Sequence, residues 1–295
     1  LFEHCFGVRP RGCWPSEGAV SDDTIGLLDQ CGFKWIASGQ QVLENSLNMN
    51  PASKPNCIHH PYTLPEQNVR CFFRDDRLSD LIGFTYQNWH GDDAVNNLIG
   101  ELEHIAEHYE EEDEKVVSIV LDGENCWEYY PNNGRYFLTA LYEKLGNHPA
   151  MVLTTFSECI DENLAPFTLH SVVSGSWVYG TLSTWIGCSD KNNAWQALIR
   201  AKQTYDTIIN SGRLDTEQRE KATEQLAVCE GSDWFWWLGD YNPAESVTDF
   251  EALFREHLAN LYRFLGSEIP EELTSVMSKG SGTPEKSGVM RRSKE

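Results

Sequence analysis

The sequence predicts an α/β fold whose first half is a parallel sheet or part of a barrel and whose second half is a helical layer. Short apolar runs alternate with segments of helical periodicity through residue 175. After residue 187 only helical periodicity remains. A chain of 295 residues is long enough for one large domain or two ordinary ones.

Local signals place the elements in order along the chain. Glycine and proline around Trp14 indicate a strand end that opens into a loop. Ser21 is a typical N-cap for a helix that continues through Gln30, and Gly32 is its stop. Four prolines make residues 44–68 irregular. Strands are predicted at residues 33–37, 69–73, 116–121 and 151–155. Helices are predicted at residues 21–30, 134–145, 192–210, 216–229 and 247–265. A further helix is predicted to begin at Asp92.

The net charge, the length of the apolar runs and the cysteine content exclude several kinds of partner and location. Acidic residues outnumber basic ones 45 to 23, and the net charge of −22 would repel a nucleic-acid backbone. The apolar runs are much shorter than the roughly 18 residues of a membrane span. No signal peptide is evident, and the missing initiator Met suggests a segment of a longer protein. Nine scattered cysteines, an odd number without a CxxC motif, favour reduced thiols and a cytoplasmic location.

Two carboxylates occupy positions where active-site groups of α/β proteins are found. Glu17 follows the first loop, in the segment GCWPSEG of residues 12–18, and Asp122 ends the apolar run of residues 116–121. Glycoside cleavage needs one carboxyl group that donates a proton and another that remains ionised. Aromatic residues make up 12% of the chain, which suits stacking on sugar rings. From pattern alone either acid could be a helix cap, and Glu124 competes with Asp122.

Five segments, in order, resemble glycoside hydrolase family 57, a family of enzymes that act on α-glucans. Residues 12–18 are similar to the family's nucleophile motif, residues 117–125 to its acid/base motif, and residues 230–237 to a sugar-binding motif. Residues 72–84 and 185–195 also look like family segments. The resemblance covers most of the chain, from residue 10 to about residue 265.

The resemblance implies roles for individual residues. Glu17 would be the nucleophile and Asp122 the general acid/base. Trp14 aligns with an aromatic residue that contacts sugar, and Tyr129 stands where the family often has Trp. Asp233 and Trp236 match a carboxylate and an indole that hold the substrate beside the cleaved bond; their spacing puts them on one face of a helix or turn.

The implied fold is an incomplete (β/α)7-type barrel followed by a mainly helical C-terminal region. Family regions that normally precede the nucleophile are missing, so we expect residues 1–175 to be the C-terminal part of the catalytic barrel. Residues 176–277 would complete the cleft, and residues 278–295 would be a disordered tail. The expected function is α-amylase-like, retaining hydrolysis of α-1,4-glucan such as starch or glycogen. The alternatives are 4-α-glucanotransferase or branching activity and a non-catalytic glucan-binding protein.

Other candidate features have simpler interpretations. Trp177, Trp185 and Trp195 fit core packing, and the Asp75-Asp76-Arg77 turn is either salt-bridged or a sugar subsite. The pair His59-His60 lacks partners at metal-ligand spacing, so no metal site is predicted. No histidine motif supports Cys13 as a nucleophile, and without a glycine-rich phosphate loop we predict no cofactor.

Overall fold

The computed structural model describes residues 1–47, 58–107, 115–123, 127–239 and 241–282. Their contacts divide the chain into two compact units, the first ending at Thr181 and the second starting at Leu182. The first unit contains the sheet, whereas the second is helical. This agrees with the mixed α/β class predicted from the sequence.

The sheet of the first unit has five strands in the order β1-β2-β4-β3-β5. The strands are β1 Gly12–Cys13, β2 Trp35–Ser38, β3 Tyr62–Thr63, β4 Arg70–Phe73 and β5 Phe167–Thr168. Strands β1, β2 and β4 are parallel, whereas β3 is antiparallel to β4 and parallel to β5. Because parallel strands point the same way, the segments after Cys13, Ser38 and Phe73 emerge at one edge of the sheet. These strands confirm the predictions at residues 33–37 and 69–73.

Helices surround this sheet and extend the unit. They are α1 Phe2–Phe6, α2 Asp22–Gln30, α3 Gln40–Ser46, α4 Asp76–Asp80, α5 Gly91–Glu107, α6 Arg135–Gly146 and α7 Phe156–Asp161, and α4 continues as a π-turn over Leu81–Thr85. Ser21 caps α2 as predicted, since its hydroxyl accepts the backbone N–H of Thr24. Strand residues alternate between two cores: Ile36 and Phe73 belong to one, Ala37 and Phe72 to the other. The sheet is therefore covered on both faces.

Residues 116–121 do not form the predicted strand. The segment lies at the end of β4 and bonds at separate points: the Val116 amide donates to the His59 carbonyl at 3.0 Å, and the Asp75 amide to the Ser118 carbonyl at 2.8 Å. The Val120 amide instead donates to the Ser79 hydroxyl at 3.3 Å. Because a side chain replaces a backbone partner, no continuous ladder forms.

The strand predicted at residues 151–155 is also wrong. Val152 is 87% exposed, and the segment pairs with no strand among the residues that the structure describes. Its last residue, Thr155, instead caps α7 in a reciprocal arrangement with Glu158. An apolar sequence alone does not tell whether the fold supplies a neighbouring strand for it.

The second unit is a packed set of helices. They are α8 Ser189–Asn210, α9 Thr216–Cys229, α10 Asp233–Trp237 and α11 Ala244–Phe264, which confirms the three helices predicted at residues 192–210, 216–229 and 247–265. Phe235 is fully buried, stacks on Trp195 at 3.9 Å between ring centroids and meets Phe254 edge-on. Aromatic packing therefore forms the centre of this unit.

The first residues of the predicted disordered tail, 278–282, pack on the second unit. Ser278 is buried and its hydroxyl accepts the Gly239 amide at 3.0 Å, while the Gly282 amide donates to the Asn242 carbonyl at 2.9 Å. Residues 283–295 of that tail, and residues 48–57 of the proline-rich segment, lie outside the described residues. Within the described part of the chain, no helix is both long and apolar enough to cross a membrane.

Candidate active site

Glu17 lies in a tight turn directly after β1. The turn Ser16–Gly18 is a single 3₁₀ turn in which Glu17 has a φ of 57° and Gly18 a φ of 59°. A left-handed conformation costs a residue with a side chain about 1–2 kcal/mol, and such strain concentrates at functional sites. The Ser38 hydroxyl, at the end of β2, donates to the Gly18 carbonyl at 2.6 Å and ties the turn to the sheet.

Trp14 packs on this same turn. A side-chain carbon added at Gly18 would meet the Trp14 ring at 2.7 Å, so only glycine allows the indole to approach so closely. Trp14 is half-buried, which leaves part of the ring open. The predicted sugar-contacting aromatic thus lies next to the predicted nucleophile.

Trp177 contacts both of these residues. Its indole N–H donates to Oε2 of Glu17 at 3.0 Å. Its ring meets Trp14 edge-on, with 5.2 Å between centroids and an interplanar angle of 77°. The core-packing interpretation of Trp177 is therefore wrong: the side chain is half-buried and bonded to a carboxylate.

Arg74 links Trp177 to the acidic turn after β4. Its guanidinium carbon lies 5.3 Å from the Trp177 ring centroid, and its nitrogens pair with Asp76 and Asp80 at 2.8 Å each. Burial lowers the pKa of Arg74, but these two carboxylates more than offset it and the pKa is raised. Burial raises the pKa of Asp76 to about 6 despite its pairing with Arg74.

The turn is thus salt-bridged, as one of the two sequence interpretations held. Asp75 caps α4 through the Leu78 amide at 2.8 Å and lies 3.0 Å from Nε2 of His59. Arg77 pairs with Glu101 at 2.7 Å. These contacts hold the chain where β4 ends.

Asp122 lies on the segment that Arg74 holds. The Arg74 Nε donates to the carbonyl of Val120 at 2.9 Å, two residues before Asp122. Asp122 itself is half-buried. Its competitor Glu124 lies outside the described residues.

A continuous set of contacts therefore runs from Glu17 to the Asp122 segment at one edge of the sheet. Glu17 bonds Trp177, Trp177 carries Arg74 on its face, and Arg74 binds Val120. Two half-buried carboxylates at the carboxyl edge of a parallel sheet have the residue types and the place that acid/base and nucleophilic catalysis need.

The remaining predicted sugar-contacting residues fall in two places. Tyr129 is 52% exposed and follows Asp122 in the first unit. Asp233 and Trp236 belong to α10 of the second unit, where Asp233 is exposed and Trp236 is 8% exposed. The Trp236 ring lies 5.9 Å from that of Trp185.

The other two tryptophans of this region pack in the second unit. Trp185 is buried, and its carbonyl accepts the Trp195 indole N–H at 2.9 Å. Trp195 in turn stacks on Phe235. Core packing is thus confirmed for both.

Sequence reasoning assigned no role at the site to Trp177 or Arg74. Trp177 is 160 residues from Glu17, so no local pattern reveals their bond. Arg74 leaves a better signal, because a charged residue that follows directly on the buried strand β4 is unusual and needs partners.

The sequence also singled out His59, His60 and Cys13, and the structure gives the surroundings of each. His59 and His60 are both buried. His59 forms a hydrogen bond with Asp75, and the His60 ring packs against the Phe167 ring with 4.3 Å between the centroids. Within the described ranges, no three His, Cys, Asp or Glu residues come together as a metal site would require. Burial raises the pKa of the Cys13 thiol, which disfavours the thiolate form.

An open cleft of about 520 Å³ lies elsewhere in the first unit, against α5 and α6. Asp92, Lys144 and His148 are among its lining residues, and none of the predicted site residues contributes to it. Its position gives it no part in the chemistry considered for Glu17.

Comparison with protein families identifies the chain. The model of glycosyl hydrolase family 57 matches residues 1–171, more than half of the sequence. The chain belongs to glycosyl hydrolase family 57. This confirms the resemblance seen in the sequence motifs. The comparison with curated proteins gives no significant match.

Solved structures of family 57 enzymes share the fold. A branching enzyme from the hyperthermophilic archaeon Thermococcus kodakaraensis aligns with a TM-score of 0.72 at 14% identity, over 92% of this chain and 63% of its own length. An α-amylase from Thermotoga maritima aligns with a TM-score of 0.65 at 15% identity, over 92% of this chain and 63% of its own length. The 4-α-glucanotransferase of Thermococcus litoralis aligns with a TM-score of 0.60 at 14% identity, over 89% of this chain and 43% of its own length. This chain therefore spans less than two thirds of the length of each.

Proposed function

We propose that the chain acts on α-1,4-linked glucans as a retaining glycosidase and that α-amylase-like hydrolysis is its reaction. Starch, glycogen and maltooligosaccharides are the proposed substrates. Membership of family 57 supports this proposal. The observation that carries it is the set of contacts that links Glu17, through Trp177 and Arg74, to the segment of Asp122.

The proposed reaction is a double displacement. An oxygen of the Glu17 carboxylate attacks the anomeric carbon while the Asp122 carboxyl group gives its proton to the departing glycosidic oxygen. The bond to the leaving sugar breaks as the bond to Glu17 forms. Asp122, now ionised, takes a proton from a water molecule, whose oxygen then displaces Glu17. Two inversions retain the anomeric configuration, and this chemistry needs carboxyl groups about 5–5.5 Å apart.

The fold proposal is an incomplete (β/α)7-type barrel with a helical C-terminal region. The parallel arrangement of β1, β2 and β4, with helices in the connections, supports the barrel part. We also propose a cytoplasmic location, for which the absence of disulfides among the seven described cysteines is support.

Four residues are proposed to bind the glucan. The partly open ring of Trp14, beside the nucleophile, suits stacking on a sugar face. The exposed Tyr129 ring would stack on a more distant sugar unit. Asp233 is exposed and would accept hydrogen bonds from sugar hydroxyls, and Trp236, which is buried, would offer a sugar only a small contact area.

Glycosyl transfer is the second candidate reaction. The T. kodakaraensis branching enzyme aligns with a higher TM-score than the T. maritima α-amylase, 0.72 against 0.65. Transfer follows the same steps until the second displacement, when a sugar hydroxyl replaces water. The two reactions therefore differ only in the acceptor that reaches the glycosyl intermediate.

Product analysis with maltoheptaose tests the proposal. The wild-type chain, Glu17→Gln and the matched control Asp23→Asn are compared, since Asp23 is an exposed acid on the first turn of α2. We expect turnover in the wild type and in the control and none in Glu17→Gln, with products no longer than the substrate. Oligosaccharides longer than maltoheptaose would identify transfer instead.

Two results would contradict the proposal. Turnover that survives in Glu17→Gln would exclude Glu17 as nucleophile. Maltoheptaose binding without turnover in any of the three proteins would favour the glucan-binding alternative.

A further inference from the structure

The segment Gly175-Ser176-Trp177 holds the turn of Glu17 in place; we name residues 175–177 the clamp segment. Val20 and Gly175 exchange both backbone hydrogen bonds, at 2.8 and 3.1 Å. The Trp177 amide donates to the Glu17 carbonyl at 3.2 Å. These three bonds fix the backbone on which Glu17 adopts its left-handed conformation.

The clamp segment is itself tightly constrained. A side-chain carbon at Gly39 would meet the Trp177 Cα at 2.6 Å, and one at Gly175 would meet the Gly180 carbonyl oxygen at 2.4 Å. The Ser176 hydroxyl accepts the Val178 amide at 3.1 Å and donates to the Thr181 carbonyl at 2.8 Å. Trp177 is therefore presented to Glu17 by a rigid turn rather than by a loose loop.

The Trp177 side chain adds a contact that a purely structural residue would not need. An indole N–H can only donate, so its bond to Oε2 favours the ionised form of the Glu17 carboxylate. A hydrogen bond to one oxygen also fixes the plane of the carboxylate and thus the direction of the other oxygen. Arg74 lies over the indole ring, 5.3 Å from its centroid, and Trp14 packs against the same ring in a T-shaped contact, so the ring has little freedom to turn.

We infer that Trp177 is a positioning residue for the nucleophile: through its indole N–H it orients the Glu17 carboxylate for attack and favours the ionised form of that carboxylate, with Arg74 holding the indole in place. The inference rests on the proposed function, because it assigns Trp177 a role in the first displacement. Its chemistry concerns only the carboxylate of Glu17, and it assigns Trp177 no contact with substrate.

The test compares Trp177→Phe with Trp35→Phe. Each variant keeps an aromatic ring and loses one indole hydrogen bond of 3.0 Å, to Glu17 in the first case and to the Ser157 hydroxyl in the second. Trp35 starts β2 and so lies toward the opposite end of the sheet from Glu17.

In Trp177→Phe we expect kcat on maltoheptaose to fall about ten- to a hundredfold, the range of one hydrogen bond to a charged group. KM should change little, and the acidic limb of the pH profile of kcat/KM should move to higher pH, because protonation of Glu17 becomes easier. Trp35→Phe should keep the wild-type profile. The inference is overturned if the two variants lose the same activity and neither profile moves.

A second measurement does not depend on turnover. In the indole region of a ¹H–¹⁵N spectrum, the signal that disappears in Trp177→Phe is that of Trp177 Nε1–H. We expect this signal to shift with pH as Glu17 titrates and the transition to vanish in Glu17→Gln. Asp76 also titrates nearby, since burial raises its pKa to about 6 and it pairs with Arg74.

The two measurements separate the inference from the proposed function. A pH titration of this signal that is the same in Glu17→Gln as in the wild type would belong to Asp76 and would overturn the inference. A transition lost in Glu17→Gln, together with a wild-type chain that does not turn over any glucan, would support the contact and overturn the proposed function.

Discussion

Replacement of Gly18 by alanine should destabilise the first unit much more than replacement of Gly32. Both glycines have a left-handed backbone, with φ of 59° and 85°. A new side-chain carbon at Gly18 would meet two Trp14 ring atoms at 2.7 and 2.8 Å, whereas at Gly32 nothing lies within 4 Å. The pair therefore separates the backbone cost from the cost of the collision.

The expected sizes follow from these two costs. Gly32→Ala should lower the free energy of unfolding by about 1 kcal/mol, the backbone cost alone. Gly18→Ala adds overpacking of about 1–3 kcal/mol and should cost about 2–4 kcal/mol in total. In a Trp14→Ala background the collision is gone, and the cost of Gly18→Ala should shrink to that of Gly32→Ala.

Urea denaturation followed by fluorescence measures these differences. Gly18 and Gly32 both lie in the first unit, so both substitutions should move the same transition. A Gly18→Ala variant that loses no more stability than Gly32→Ala would refute the packing of Trp14 on the turn of Glu17.

Three further outcomes are expected. The folded-state pKa of Asp76, about 6, lies above its ordinary value of 3.8. The contribution of Asp76 to stability is therefore present below pH 3.8 and is lost as the pH rises through 6. The difference in melting temperature between the wild type and Asp76→Asn should accordingly fall as the pH rises from 3.8 to 6. Phe235→Ala should lower the free energy of unfolding by about 3–5 kcal/mol in urea, since Phe235 is fully buried, and Phe235→Leu should lose clearly less. Ser21→Ala should cost about 1 kcal/mol in the same assay, because the Thr24 amide loses its cap; no loss would mean that water replaces the hydroxyl.

Helices were the most predictable part of this fold. The helix expected at residues 216–229 is observed over Thr216–Cys229, because its buried residues Ala222, Leu226 and Cys229 recur at helical spacing within the segment itself. Strands depend on their neighbours. Residues 116–121 keep the alternation of a strand, with Val117, Ile119 and Leu121 packed in one core, yet the Ser79 hydroxyl takes a place that a backbone carbonyl would occupy.

The candidate site likewise contains residues that short motifs reveal and residues that only the fold brings together. Glu17, Trp14 and Asp122 could be selected from the sequence, because short motifs carry them. Trp177 could not, because its bond to Glu17 joins residues 160 positions apart, and the fold alone creates that contact. Arg74 owes its place to the same long-range packing, which brings the Trp177 ring against its guanidinium.

The most direct test of the central claim is to trap the glycosyl intermediate on Glu17. Asp122→Asn would be incubated with α-maltosyl fluoride, whose leaving group needs no acid, while loss of the general base slows release of the sugar. Peptide mass spectrometry should then find one maltosyl unit on the peptide that contains Glu17. The double variant Glu17→Gln/Asp122→Asn should show none. An adduct on another residue, or no adduct with hydrolysis of the fluoride undiminished, would contradict the assignment of Glu17 as nucleophile and Asp122 as acid/base.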